Sequence, residues 1–249
     1  PGVLARGSGA GCQLVSTCAL TDAYTVLRHC PLLAGFPDVA LHEAARHARV
    51  RSFQANQPIY EKGEPQTNLC VIAEGLVRIS SVNAQGQEAV LIIFDSGTWF
   101  GDAVFSPGTG RVYGATAHEA AVLVEVPGPF FRDLLQRYPQ SYPVVLDLIS
   151  QRLWSAISMI EEDALRGTQA RIGQRLLFLS QMQRGGKPES GPVTVRLTRE
   201  HIANMMGMTR QGVHRTLKAF EAQGLITLGY GRITIEDEAA LREHLVTLS

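Results

Sequence analysis

Between residues 50 and 126, short runs of apolar and β-branched residues alternate with turns that contain glycine. The clearest runs are residues 69–72, 76–79, 89–94 and 121–126. Glycines 63, 75, 86 and 97 lie in the turns, so that successive turns are roughly ten residues apart. This spacing predicts an antiparallel sandwich or roll of short strands, in which each glycine adopts a positive φ angle.

The flanking segments show helical spacing of apolar residues. From residue 21 to residue 49 this pattern is interrupted by Pro31 and Pro37, which predicts short helices. After Pro127, the sequence predicts a short helix over residues 129–136, a long helix over residues 142–166 and another helix over residues 168–183.

The long predicted helix carries a narrow apolar stripe between polar flanks. Such a stripe is typical of a coiled-coil seam, so we expect a dimer interface there. Packing of the stripe against the chain's own β-domain is the alternative that the pattern leaves open. The interface residues that we select from the stripe are Val145, Ile149, Leu153, Ala156, Ile157 and Ile160.

The segment 197–220 has the signals of two short helices joined by a tight turn. Thr198 is placed to cap the first helix and Thr209 the second, and Gly207 stands where the turn needs a left-handed residue. The inward positions are apolar, and the two stretches after residue 220, 221–228 and 232–235, predict a small hairpin or wing. The pattern predicts a winged helix-turn-helix.

The second helix would face the major groove of DNA. Arg210 and Arg215 can bind guanine edges, Gln211 can bind adenine, and Lys218 lies further along, where a phosphate is the better partner. The alternative is an ordinary helical hairpin with a solvated basic face. The predicted DNA-binding residues are Thr198, Thr209, Arg210, Gln211, His214, Arg215 and Lys218.

Composition adds a modest charge asymmetry. The formal net charge is zero, but residues 51–130 hold four basic and eight acidic residues, whereas residues 194–232 hold six basic and two acidic residues. This fits a nucleic-acid-binding module joined to a second domain. There is no run of eighteen apolar residues and no signal-peptide core, so we expect a cytoplasmic protein without a membrane partner. Residues 1–20, rich in Gly, Ser and Ala, are expected to form a flexible leader.

Together, these features resemble the Crp/Fnr family of transcription regulators over residues 24–235. The segment NLCVIAEGLVRISSVNAQGQEAVLIIFDSGTWFGD is similar to the effector domain of that family, and LTREHIANMMGMTRQGVHRTLKAFEAQGLI is similar to its DNA-binding helices. The resemblance implies an α+β protein: an N-terminal antiparallel β-roll of the jelly-roll type over residues 21–140, a long dimerisation helix over 141–166 and a C-terminal winged helix-turn-helix over 167–249. It also implies a homodimer, a palindromic operator in double-stranded DNA and a contact with RNA polymerase.

The resemblance also locates an effector site. Gly101 and Asp102 stand where nucleotide-responsive members carry Gly-Glu, and Arg111 and Val112 stand where they carry Arg-Ser. Arg111 is a suitable partner for a phosphate, but Val112 lacks a hydroxyl, and the loop before Arg111 is one residue shorter. On the long helix, Ala156 and Ile157 replace the Thr-Ser pair that meets the base. A cyclic nucleotide such as cAMP is therefore one candidate effector, another ligand or none is the other, and Arg111 could instead pair with an acidic neighbour such as Asp102.

Other cofactors are disfavoured. Cys12, Cys18, Cys30 and Cys70 form no CxxC pair and lack the tight spacing of an iron–sulfur site, so we expect unligated thiols. His118 is the only histidine between residues 50 and 126, which argues against heme and against a metalloenzyme of the cupin type.

We therefore expect a DNA-binding transcription regulator and not an enzyme. The alternative is a cyclic-nucleotide-binding module that acts on a protein partner, but that function leaves Arg210, Gln211 and Arg215 unexplained. Gln211 stands where nucleotide-responsive members carry glutamate, so a related but altered palindrome is expected.

Overall fold

The computed structural model of the chain describes residues 22–65, 68–82, 86, 88–106, 108, 110–183 and 191–248, with the side chains of residues 162–164, 182 and 183 excepted. The predicted leader at 1–20 lies outside these residues, as do Cys12 and Cys18.

In the described part of the chain, which begins at residue 22, two short helices precede the β-roll. The first, α1 (Ala23–His29), begins at Asp22, whose carboxylate accepts hydrogen bonds from the backbone N–H groups of Tyr24 and Thr25. A 3-10 turn at Pro31–Leu33 leads to α2 (Asp38–His47). The predicted break at the two prolines is confirmed, because each lies at a helix start, where its missing N–H is tolerated.

Within the residues that the structure describes, the β-roll consists of eight strands in two four-stranded sheets. Strand order is β1-β8-β3-β6 in one sheet and β2-β7-β4-β5 in the other, and all these pairs are antiparallel. The strands are β1 (Arg49–Phe53), β2 (Pro58–Tyr60), β3 (Asn68–Glu74), β4 (Val77–Val82), β5 (Glu88–Phe94), β6 (Trp99–Phe100), β7 (Gly114–Ala117) and β8 (Ala121–Pro127).

Strand β3 shows why the central strands have continuous apolar sequences. Leu69 and Val71 pack into the cluster formed with the N-terminal helices, whereas Cys70 and Ile72 pack into the cluster between the two sheets. Because both faces of the strand are buried, period-two alternation is lost.

Three helices follow the roll: α3 (Gly128–Arg137), α4 (Tyr142–Leu165) and α5 (Thr168–Gln183), with a 3-10 turn at Pro139–Ser141 between the first two. The 3-10 turn that leads into α4 is held against the N-terminal helices, since Ser141 Oγ donates to the carbonyl of Gly35 at 3.0 Å. Among the described residues, no helix is both long and apolar enough to cross a membrane.

The C-terminal part contains β9 (Val193–Val195), α6 (Arg199–Met206), α7 (Arg210–Ala222), β10 (Ile226–Gly229), β11 (Arg232–Ile235) and α8 (Glu238–Val246). Its sheet has the order β10-β11-β9. The sequence pattern missed β9 and α8, and it was wrong to place Glu221 and Ala222 in the wing, because both belong to α7.

The C-terminal part is docked on the β-roll. Helices α5 and α6 pack against β5, and Leu76, Val90 and Ile93 of the roll share one buried apolar cluster with the core of the winged helix. This interface brings the edge of the roll next to the first helix of the helix-turn-helix.

Candidate DNA interface and effector site

The turn between α6 and α7 is fixed by its caps. Thr198 Oγ1 accepts from the backbone N–H of His201 at 3.2 Å, and His201 Nδ1 accepts from the N–H of Thr198 at 3.1 Å, which makes a reciprocal capping box. Gly207 ends α6 with a φ of 60°. Thr209 Oγ1 then accepts from the N–H of Gly212 at 3.2 Å and begins α7. The predicted caps and turn are confirmed.

One face of α7 is buried and the other is open. Val213, Leu217 and Phe220 are almost completely buried against α6 and the rest of the domain. Arg210, Gln211, Arg215 and Lys218 are exposed, and His214 is partly exposed with a buried Nδ1 that has no hydrogen-bond partner. The outer face therefore presents two guanidinium groups and one amide on adjacent turns.

Lys218 has an intramolecular partner. Its Nζ lies 2.6 Å from Glu221 Oε2, and the other oxygen of Glu221 accepts from the N–H of Leu228 at 3.0 Å. This ammonium group lowers the pKa of Glu221. The pair links the end of α7 to the wing, so a phosphate would have to compete with Glu221 for Lys218.

The predicted effector residues lie around the loop after β6. Gly101 adopts a φ of 99° and precedes a 3-10 turn over Asp102–Phe105. Asp102 does not pair with Arg111: Oδ1 accepts from Arg152 Nη1 of α4, and Oδ2 accepts from the hydroxyl of Tyr113 at 2.8 Å. The sequence-based alternative of an Asp102–Arg111 pair is wrong, because the helix supplies the cation.

Arg152 was not predicted as a functional residue. It was placed among the polar flanks of the stripe, but it reaches inward to Asp102, to the carbonyl of Trp99 and over the Trp99 ring. Residue 152 therefore connects the long helix to the effector loop. Its only signal in the sequence is a cation on the α4 flank.

Arg111 is buried in the β-roll with an exposed fraction of 8%. Its guanidinium lies 3.3 Å from the centre of the Tyr60 ring, and its Nε and Nη1 have no hydrogen-bond partner among the described residues. The Tyr60 hydroxyl is also buried without a partner, and burial raises the pKa of Tyr60. Val112, by contrast, is 61% exposed. The site therefore contains a stacked cation with two free donors.

The family model for the Crp-like helix-turn-helix domain matches residues 170–244, and the model for the cyclic nucleotide-binding domain matches residues 50–138. The chain belongs to the Crp/Fnr family of transcription regulators. The helix-turn-helix and the β-roll thus correspond to these two matched regions. The chain is a DNA-binding regulator.

Similar Crp/Fnr relatives span most of the chain. The cAMP-activated global transcriptional regulator CRP of Haemophilus influenzae is 26% identical over 181 residues, which cover 72% of this chain and 80% of that protein. The global nitrogen regulator of Synechococcus elongatus is 28% identical over 78% of this chain and 89% of its own length. The crystal structure of a CRP/FNR-family regulator from Thermus thermophilus is 28% identical, with a TM-score of 0.60, and the match covers 81% of this chain and 100% of that one.

The structure separates the predicted dimer residues of this Crp/Fnr chain into buried and exposed ones. Val145 is buried in its own domain's core and Ile149 packs partly against it, so Val145 was wrongly assigned to the interface. Its position in the first turns of α4, against the roll, explains the error. From Leu153 onward the stripe is exposed, and this part includes Ala156, Ile157 and Ile160.

Cys30 and Cys70, which lie within the described residues, are poor redox centres. Burial raises the pKa of Cys30 and of Cys70 to about 12, so both thiols stay protonated. Among the described residues, no group of three His, Cys, Asp or Glu side chains is arranged to hold a metal ion.

Proposed function

We propose that this Crp/Fnr regulator binds a palindromic operator as a homodimer, with α7 of each protomer in the major groove. The observation that carries this proposal is the open outer face of α7, where Arg210, Gln211 and Arg215 are exposed beside a fixed helix start. Residues near the beginning of a recognition helix meet base edges, so these three would read sequence and Lys218 would contact phosphate.

The exposed face of α4 supports the dimer. Leu153, Trp154 and Ile157 have exposed fractions of 58%, 66% and 44%, and Ile160 is 70% exposed. An apolar stripe of this kind on a long helix is a characteristic protein–protein surface. A second α4 would cover it and would set the two recognition helices at a fixed separation, from which the bound dimer could contact RNA polymerase.

We further propose that the β-roll binds an anionic effector at Arg111. Its two unpartnered N–H groups can each donate to a phosphate or carboxylate oxygen. These donors fit the anionic part of a cyclic nucleotide. Both oxygens of Asp102 already accept from Arg152 and Tyr113, and Val112, Ala156 and Ile157 offer no side-chain hydrogen bonds, so the partners expected for sugar and base are reduced.

The Asp102–Arg152 pair connects the effector site to the long helix that leads to the DNA-binding domain. An anion at Arg111 would lie beside the loop that holds Asp102, and Arg152 joins that loop to α4. Effector binding would then favour one arrangement of the two long helices over another. This population shift would change the separation of the two DNA-binding domains.

Two measurements test the proposal. A gel-shift assay at defined salt should detect a protein–DNA complex, and replacement of Arg210 by alanine should weaken it; absence of any complex at low salt would reject operator binding. Calorimetric titration with cAMP and separately with inorganic phosphate should give heat of binding for at least one of them, which Arg111→Met removes. Identical binding by the Arg111→Met variant would reject the effector site.

A further inference from the structure

Two histidines from different domains meet where the winged helix is docked on the β-roll. His118 lies in the bend between β7 and β8, and His201 lies in the first turn of α6. Their rings are in edge-to-face contact, with centroids 4.7 Å apart. Neither ring has a carboxylate partner among the hydrogen bonds of the described residues: His118 Nδ1 is buried without a partner, and His201 Nδ1 accepts from Thr198.

From this geometry we propose that His118 and His201 form a proton-sensitive latch, which holds the winged helix on the β-roll while both rings are neutral and releases it when either is protonated. The latch is defined by these two histidines and by the Arg78–Glu88 pair beside them. The proposal concerns the contact between domains and does not depend on which DNA sequence or effector the protein binds.

Burial and Arg78 oppose protonation of both rings, and the nearby carboxylates offset this only in part. Arg78 on β4 lies near both histidines, and its own partner Glu88 on β5 is 3.1 Å from its Nε, so the carboxylate is already engaged. Glu200, on the same helix as His201, raises the pKa of that ring, but burial and Arg78 outweigh it. Next to His118, Glu119 is bound to Arg196 at 3.2 Å. Protonation of either ring would therefore place a positive charge beside Arg78 and against the other imidazole.

Hydrogen bonding adds to this effect at His201. Its Nδ1 accepts from the N–H of Thr198, and it can do so only when that nitrogen carries no proton. Protonation at Nδ1 would remove one half of the capping box of α6, at the helix that contacts β5.

The direction of the pH response follows from the pKa shifts. Burial, the neighbouring histidine and Arg78 lower the pKa of His118 to about 4, and burial lowers the pKa of His201. A histidine whose pKa is lowered on docking stabilises the docked arrangement fully above its ordinary pKa, and this stabilisation is lost as the pH falls below that value. Arg78 lies on the same domain as His118 and stays near it after release, so only part of this shift comes from docking. Between pH 8 and pH 5.5, His118 alone should therefore shift the docking equilibrium toward release by at most about ten-fold.

The test measures the distance between the domains without DNA or effector. Cysteines introduced at the exposed positions Gln54 and Gln223 carry the spin labels. Cys12 and Cys18 are replaced by serine, and labelled protein is diluted with unlabelled protein, so that each protomer reports one distance. Pulsed dipolar spectroscopy should show one docked distance at pH 8 and a growing second population toward pH 5.5.

Variants separate the latch from general acid effects. His118→Phe keeps an aromatic ring at the contact, and His201→Gln keeps an acceptor for the capping box, so the double variant should stay docked at both pH values. His118→Lys should release the domain already at pH 8. His29→Gln, which changes an exposed histidine on α1, should respond to pH as the unmodified chain does.

A distance distribution that is the same at pH 8 and pH 5.5 in the unmodified chain would overturn the proposal, whatever the variants do. So would an undiminished pH response in the folded double variant. Since no nucleic acid takes part, a failure of operator binding would leave this result unaffected.

Discussion

Replacement of Arg111 by methionine should stabilise the effector-free protein while it removes anion binding. In the structure, Arg111 is 8% exposed and its Nε and Nη1 have no acceptor. Leaving two buried donors unpaired costs about 2–6 kcal/mol, whereas stacking of the guanidinium on Tyr60 contributes about 2 kcal/mol. Methionine keeps an apolar contact with the ring and has no donor, so we expect a net gain of about 2 kcal/mol, the middle of a range of about 0–4 kcal/mol.

Thermal or urea unfolding at fixed protein concentration, after bound ligands have been removed, measures this difference. For a protein of this size, the expected gain corresponds to a rise in Tm of roughly 4–8 °C. Arg132→Met is the matched control, because Arg132 Nη1 donates to the carbonyl of Val104 at 2.9 Å, and its loss should destabilise by about 1 kcal/mol. If Arg111→Met destabilises the protein by as much as the control, Arg111 is a structural residue and the anion site is refuted.

Three further predictions concern the DNA interface and the dimer. Thr209→Ala removes the cap of α7 and should lower the free energy of unfolding of the C-terminal domain by about 1 kcal/mol, measured by urea denaturation; Thr209→Ser, which keeps the hydroxyl, should stay near the original value. Gln211→Glu should move the preferred base at its position toward cytosine by about ten-fold in relative affinity, measured with single-base operator variants, and an unchanged preference would show that residue 211 does not read a base. Ile157→Glu should weaken self-association at least ten-fold in sedimentation velocity, whereas Leu91→Glu on an exposed position of β5 should leave it unchanged.

The helix-turn-helix could be predicted from the sequence almost completely, because its determinants are local. Thr198, Gly207 and Thr209 act within three or four residues of their own positions, through side-chain oxygens that accept backbone N–H groups and through a left-handed glycine. The apolar positions of α7 follow a period of 3.6, so its buried and exposed faces were also determined by local spacing.

The effector site was predicted less well because its contacts are distant in sequence. Asp102 meets Arg152, fifty residues further along, and not Arg111. No periodicity shows that a cation on the polar flank of α4 turns toward the roll. The same reason explains Val145, since the stripe is continuous through α4 while the β-roll covers only its first turns.

The contact between domains could not be predicted from the sequence at all. His118 was interpreted as a lone histidine of the β-roll, and it is lone only within that domain, because its partner lies 83 residues later on α6. Likewise, Leu76, Val90 and Ile93 belong to runs that the pattern assigns to a sheet, with no sign that part of that sheet is covered by the winged helix.

The most direct test of the central claim, that α7 reads a palindromic operator from a dimer, is a selection of bound sequences from random double-stranded DNA with the full chain. We expect enrichment of two inverted half-sites whose centres are about one helical turn apart. In Arg210→Ala, the base preferences should change at one symmetric pair of positions. Failure to enrich any sequence, or enrichment of the same half-site by Arg210→Ala and Gln211→Ala, would contradict it.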